Sequence, residues 1–200
     1  MPIILNVKNF DLFFIDRLNR KYNKDKHAAD WRALGIDDPQ PFEKATFYAP
    51  QMPGGSIAVP TSRDEVQPYS WSLSDVIERG LFSYLFAEDD TSNENFSALL
   101  LDLEDSLTEE KIEADGTSRR SLKRNDGQRQ TFQELLDWVG NKDNRLLDHA
   151  AGTWSKLRRR LRKLVLEGNG VLRRYDPKGH PLDLVAAETK VWYIWLRSTN

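Results

Sequence analysis

Trp154-Ser155-Lys156-Leu157-Arg158-Arg159-Arg160-Leu161-Arg162-Lys163-Leu164-Val165-Leu166-Glu167 is the most informative run of the sequence. At about 100° per residue, Trp154, Leu157, Leu161 and Leu164 fall in one narrow arc of a helix. Arg158, Arg159, Arg162 and Lys163 face away from that arc, and Lys156 and Arg160 lie on its flank. The spacing therefore predicts an amphipathic helix with an apolar stripe and a wholly cationic outer face. Lys156–Arg160, Arg158–Arg162 and Arg159–Lys163 are like-charge pairs four residues apart. Each costs about 0.2–0.5 kcal/mol in an isolated helix. Locally only Glu167, four residues after Lys163, offers relief, so an anion near this helix is expected. Arginine predominates, and its planar fork suits phosphate.

The elements around this helix follow from the same rules. Upstream, Leu147 and Ala150 continue the apolar spacing. The helix either starts near Asn144 and is continuous, or is broken at Ala151-Gly152-Thr153; Gly168 ends it in both cases. Thr131-x-x-Glu134 is a capping-box pattern, and Phe132, Leu135, Leu136 and Val139 make a short helix stopped by Gly140. Downstream, Val171–Tyr175 reads as a strand, Asp176–Pro181 as a turn and Leu182–Val185 as a returning strand. Val191–Leu196 is apolar on both faces, as a buried strand or a packed terminal helix would be.

Toward the N-terminus, Pro2–Val7 reads as a short strand. Phe10, Phe14, Leu18 and Tyr22 recur every fourth residue and predict a helix over 10–22. A helical turn is expected near Ala28–Leu34. Residues 39–68 hold six of the nine prolines and read as a long irregular loop, with extended pieces at Ala45–Tyr48 and Ile57–Val59. Val76, Ile77, Leu81, Tyr84 and Leu85 predict a helix ending near Ala87. Another is expected from Asn95 to Leu107, capped by Ser92 or Asn93. Glu88-Asp89-Asp90 with Glu94 reads as an acidic loop, and Asp102, Glu104 and Asp105 as the wet face of a helix. From Glu109 to Gln130 the apolar period vanishes; Ile112 and Leu122 are the only large apolar residues there.

The fold class expected is mostly α with a small β part (α+β). An acidic, mainly helical region over 1–112 leads through a polar linker at 113–130 to a basic helix-plus-hairpin domain at 131–200. The charges divide in the same way. The first 115 residues hold 11 Lys+Arg and 22 Asp+Glu, and the remaining 85 hold 18 and 9, although the whole chain has a net charge of only −2. Such asymmetry points to a polyanion partner, or to halves that face each other or bind acidic and basic proteins. Nine cations lie between 156 and 178: Lys156, Arg158, Arg159, Arg160, Arg162, Lys163, Arg173, Arg174 and Lys178. They form the expected nucleic-acid-binding set.

The order of elements in the last third resembles a winged-helix DNA-binding domain. Phe132–Val139 is similar to its first helix and Arg145–Ala151 to its second, with the turn at Gly152-Thr153. Trp154–Glu167 stands in the place of the recognition helix. Gly168–Tyr175 resembles the helix stop and first wing strand, Pro177–His180 the wing tip and Leu182–Val185 the return strand. The resemblance implies DNA or RNA as partner, in a larger assembly, with the basic helix and wing on phosphates. A continuous helix through Gly152-Thr153 would instead fit a non-catalytic helical subunit of a nucleoprotein complex.

Other functions find less support in the sequence. The chain has no cysteine, which excludes disulfides, thiolate metal sites and cysteine nucleophiles. No run approaches the roughly 20 apolar residues of a membrane span, and the N-terminus lacks a signal-peptide pattern. A cytoplasmic location is the default expectation. His27, His149 and His180 are not at metal-ligand spacing, and no phosphate-binding glycine loop occurs. Gly54-Gly55-Ser56 lacks the second glycine of a nucleophile elbow, where Ala58 stands. Glu188-Thr189-Lys190, with Asp176 and Asp183 upstream, resembles the D…E-x-K pattern of a metal-dependent nuclease. The upstream acids are poorly spaced for that pattern. No cofactor, metal or catalytic residue is assigned.

Overall fold

The computed structural model describes residues 3–6, 14–52, 63–124, 129–144, 146, 149–167, 170–182 and 191–195. It is an α+β protein that divides into two compact units. The first comprises Met1–Pro50, Gly55–Pro68 and Leu182–Asn200, and the second Gln51–Gly54 and Tyr69–Pro181.

The first unit is built on a sheet. Strand β1 (Ile3–Asn6) pairs in parallel with β6 (Val191–Trp195), which pairs in parallel with β2 (Ala45–Pro50). Strand β3 (Val66–Tyr69) completes the order β1-β6-β2-β3. The apolar run at 191–195 is thus a central strand of a largely parallel sheet, where continuous apolar sequence is normal. Phe47, Ala49 and Val66 form the core, with Ile4, Phe14, Ile15 and Ala45 against it. Helix α1 (Lys24–Ala33) starts at Asn23, whose side chain accepts from Lys26 N, and has no buried residue.

The helix expected over 10–22 is not found in its described part. Phe14–Tyr22 makes turns, closed by Arg17 N to Phe14 O at 3.0 Å and Tyr22 N to Asn19 O at 2.8 Å. Tertiary demands override the period there. Phe14 and Ile15 pack on the sheet core, while Asp16 accepts both Arg63 Nη1 and Nη2 at 2.7 Å. The Arg63 side chain is 3% exposed and its guanidinium lies over the Phe47 ring at 3.7 Å. Expected pieces at Phe10–Phe13 and Ile57–Val59 fall outside the described residues.

The second unit is mainly helical. Helix α2 (Leu73–Glu78) opens with a capping box, Ser72 to Asp75. It stops well short of Ala87, because Gly80 turns the backbone to φ +64°, the left-handed position typical after a helix end. Tyr84, expected inward, is 81% exposed. Helices α3 (Glu88–Thr91) and α4 (Glu94–Leu107) follow, the latter capped by Asn93. Strands β4 (Thr108–Ile112) and β5 (Ser118–Leu122) form an antiparallel hairpin. Much of the expected linker is therefore a regular hairpin; residues 125–128 lie outside the described residues. Helix α5 (Phe132–Gly140) has the expected Thr131–Glu134 capping box. Helix α6 (Ala151–Glu167) lays Trp154, Leu157, Leu161 and Val165 on the core. Phe96, Leu99, Leu100, Leu103, Phe132 and Leu135 fill the centre.

This unit draws on both sides of the charge boundary. The acidic α2–α4 segment and the basic α6 share one core, so 131–200 is not a separate packing unit. Among the described residues, no helix is long and apolar enough to cross a membrane.

The Arg63 hydrogen bonds hold the Asp16 carboxyl below its usual 3.8. Asp16 therefore contributes stability that is complete above the unfolded value and lost as pH falls through the lower folded one. Asp16→Asn is expected to cost about 2–3 kcal/mol at pH 7, because it weakens support for a buried cation. Urea titrations of parent and variant should converge toward acid pH.

Candidate functional site

For the cationic helix the sequence offers only Glu167 as local relief, and an anion nearby is expected. The structure sorts those charges into two groups. Asp90, on α3, is buried and lies between the first like-charge pair. Lys156 Nζ is 3.0 Å from its Oδ1, and Arg160 Nε is 2.7 Å from its Oδ2. Arg160 Nη2 also donates to Oδ1 at 3.0 Å. The Lys156 ammonium rests 4.7 Å from the centroid of the Phe96 ring. These donors, Lys156 first, hold the Asp90 carboxyl below its usual value. Asp90 is thus not part of a solvated acidic loop but an internal counter-ion.

Among the described residues, the outward side of α6 has no such partner. Arg158, Arg159 and Arg162 are exposed and make no ion pair among the described residues. Lys163 reaches Glu167 only at 4.0 Å, with both side chains about two-thirds exposed, at 64% and 66%; such a pair is worth about 0–1 kcal/mol. On the helical wheel Arg158 and Arg162 stand about 160° from Lys156 and Arg160 respectively. Arg158 instead approaches the end of α5, where its Nη2 lies 3.7 Å from a Cβ built on Gly140. The buried stripe ends in Val165 rather than Leu164, which is half-buried.

Of the remaining expected contacts, the side chains of Arg173 and Arg174 are engaged elsewhere, and among the described residues Lys178 is held through its backbone alone. Arg173 Nη2 donates to Asp176 Oδ2 at 2.6 Å and its Nη1 to Gln51 Oε1 at 3.3 Å. Arg174 Nε donates to Gln133 Oε1 at 2.6 Å, tying the loop to α5. The Lys178 backbone N–H donates to Asp176 Oδ1 at 3.0 Å. Val171–Tyr175 is not a regular strand. Leu172 bridges Trp71 and His180 bridges Ser70, through Arg173 N to Trp71 O at 2.8 Å and His180 N to Ser70 O at 2.9 Å. The segment fits there only because Gly179 has no side chain; a Cβ would lie 2.6 Å from Ser72 N and would collide with Asp75 Oδ2. The return strand expected at Leu182–Val185 lies almost wholly outside the described residues.

Gly152 and Thr153, expected as a turn between two helices, belong to the first turn of α6. In the preceding segment, Arg145, Leu147 and Asp148 lie outside the described residues, and Leu146, His149 and Ala150 are not helical.

His149 Nε2 lies 2.6 Å from Asp102 Oδ2, a contact between the approach to α6 and α4. His27 Nδ1 accepts from Asn23 N at 3.2 Å beside the cap of α1. Among the described residues no three His, Cys, Asp or Glu side chains group as a metal site. Asp176 is engaged by Arg173; Asp183, Glu188 and Lys190 lie outside the described residues. No family model matches the chain, and no curated protein matches it.

Asp90→Asn should lower stability by about 1–2 kcal/mol at pH 7, since the amide cannot offset two facing cations. The gap should narrow as acid titrates Asp90 in the parent, which thermal melts at pH 7 and pH 3 would read.

Proposed function

We propose that this protein binds nucleic acid without transforming it, and that the outward arc of α6 contacts the phosphates. The observation that carries this reading is the division of charge on one helix. Lys156 and Arg160 have an internal counter-ion, whereas Arg158, Arg159 and Arg162 have none among the described residues. A helix that needed its arginines for folding would seat them as it seats Arg160. Exposed guanidinium groups on about one and a half turns suit a run of phosphates, which position a ligand without reading its sequence.

The contact set is then Arg158, Arg159 and Arg162, with Lys163 at its edge and the exposed Lys178 of the 171–180 segment. Lys156, Arg160, Arg173 and Arg174 serve the protein's own packing. The α5–α6 pair, locked by Trp154 Nε1 donating to Val139 O at 3.1 Å, takes the place of the helices in a winged-helix arrangement. The winged-helix resemblance belongs to this proposal and rests on the order of the α5 and α6 helices; Gly152 and Thr153 are helical rather than a turn, and the 171–180 segment is bridged to Ser70 and Trp71 rather than paired as a wing. Membership of a larger cytoplasmic nucleoprotein assembly belongs to the same reading.

The triple variant Arg158→Gln, Arg159→Gln, Arg162→Gln should fold, because the buried stripe is untouched. It should weaken nucleic-acid binding and flatten its salt dependence. The log–log slope should fall by about 0.9 per lost contact on duplex DNA and about 0.7 on a single strand. Fluorescence anisotropy at two salt concentrations reads both effects. Unchanged binding at both salts would remove α6 as the interface.

A further inference from the structure

Arg129 stands just ahead of the α5 capping box with a backbone φ of +63°. That region is uncommon for a residue with a side chain, and strained residues gather at functional sites. Its guanidinium carbon lies over the Trp138 ring, 4.7 Å from the centroid. Among the described residues the guanidinium makes no hydrogen bond or ion pair. Burial holds its pKa below the usual arginine value. The charge is therefore partly dehydrated with no carboxylate in return among the described residues, on a backbone that a glycine would adopt more easily.

The surroundings connect this arginine to the free arc. Trp138 meets Trp154 edge-on at 6.0 Å between centroids. Two residues beyond Trp138, Gly140 faces the Arg158 guanidinium. The last turn of α5 thus touches both Arg129 and the first arginine of the arc. Trp138 and Arg129 are both only partly buried.

We infer that Arg129, held over Trp138, is a stacking platform for an unpaired nucleobase, so that the ligand of the α6 arc is a single strand. This rests on the proposed nucleic-acid reading and narrows it. A guanidinium plane stacks on a base as an aromatic ring does. Duplexes keep their base faces covered, whereas a single strand offers one beside each phosphate. Stacking tolerates any sequence, because every base has a π-face. Cations on α6 then follow the backbone, and the Arg129–Trp138 pair takes a base.

The test uses the intact chain and three labelled probes: oligothymidylate of about 20 nucleotides, oligouridylate of the same length, and a DNA duplex of about 20 base pairs. Both single strands should bind more tightly than the duplex. Arg129→Lys keeps the charge and loses the plane. It should lower single-strand affinity about 5-fold or more, with the salt slope and the duplex affinity unchanged. Arg129→Gly relieves the backbone; it should show the same loss with a Tm close to the parent's. Equal binding by Arg129→Lys and parent would overturn the inference. So would an equal loss on duplex, which would make Arg129 a phosphate contact, or a large fall in Tm for Arg129→Gly, which would make it a structural residue. If the parent binds none of the probes, the nucleic-acid reading itself fails; if the parent binds and only the Arg129 effects are missing, that reading survives and the platform does not.

Discussion

Asp90 is one carboxylate shared by two cations of the same helix, and the second unit is arranged around that contact. Its position is set by local chemistry. Asp90 sits in α3, directly before the Asn93 cap that starts α4, so the α3–α4 corner aims it. Phe96, fully buried in the first turn of α4, supplies the ring under Lys156. The α6 stripe of Trp154, Leu157, Leu161 and Val165 can then close on α4 and α5 without leaving a repelling pair at its flank. Two bonds to a buried acid also fix the rotation of α6 about its own axis. Once that rotation is set, the helical period turns Arg158 and Arg162 to the opposite side and leaves Arg159 between them and the paired flank.

The charge asymmetry of the sequence acquires a different meaning in this light. The acidic and basic stretches do not form two opposed bodies. Glu78 pairs with Arg119 at 3.4 Å, Glu104 with Arg120 at 2.9 Å, and Asp90 with Lys156 and Arg160, all within the second unit. Three acids before residue 115 and four bases after it are thus paired within that unit. Among the described residues, Arg158, Arg159 and Arg162 on one helix make no such pair, and Arg129 lies over Trp138 near them. A local surplus of this kind is a more specific pointer to a ligand than a net charge of either half.

Elements whose burial follows one period were legible in the sequence. The α4 and α5 helices and the Thr131 cap were legible from spacing and capping; Asn93 was one of two cap candidates, Ala45–Tyr48 an extended piece in an expected loop, and Val191–Leu196 a buried strand or a terminal helix. The hairpin at 108–122 was not, because its strands carry almost no apolar signal. Ile112 is 82% exposed, and β5 is held by ladder bonds, Leu122 and the ion pairs of Arg119 and Arg120. The helix over 10–22 had the right period, but Asp16 is drawn to Arg63, 47 positions away. In the candidate site, the arginine arc was visible on a helical wheel. The role of Asp90 was not, since its partner Arg160 lies 70 positions away. Arg129 was also missed, because left-handed backbone at an arginine has no sequence signature.

The central claim is that the second unit settles its own charges and presents a short, unpaired cationic arc to a phosphate backbone. The most direct measurement is the salt dependence of binding for the intact chain, with log K followed against log of salt between about 50 and 200 mM for a single-stranded oligonucleotide. Three contacts from Arg158, Arg159 and Arg162, or five with Lys163 and Lys178, predict a single-strand slope of about −2 to −3.5. A slope near zero, or no binding at the lowest salt, would contradict the account; so would a slope several units steeper, because the internally paired Lys156, Arg160, Arg173 and Arg174 would then be contacts as well.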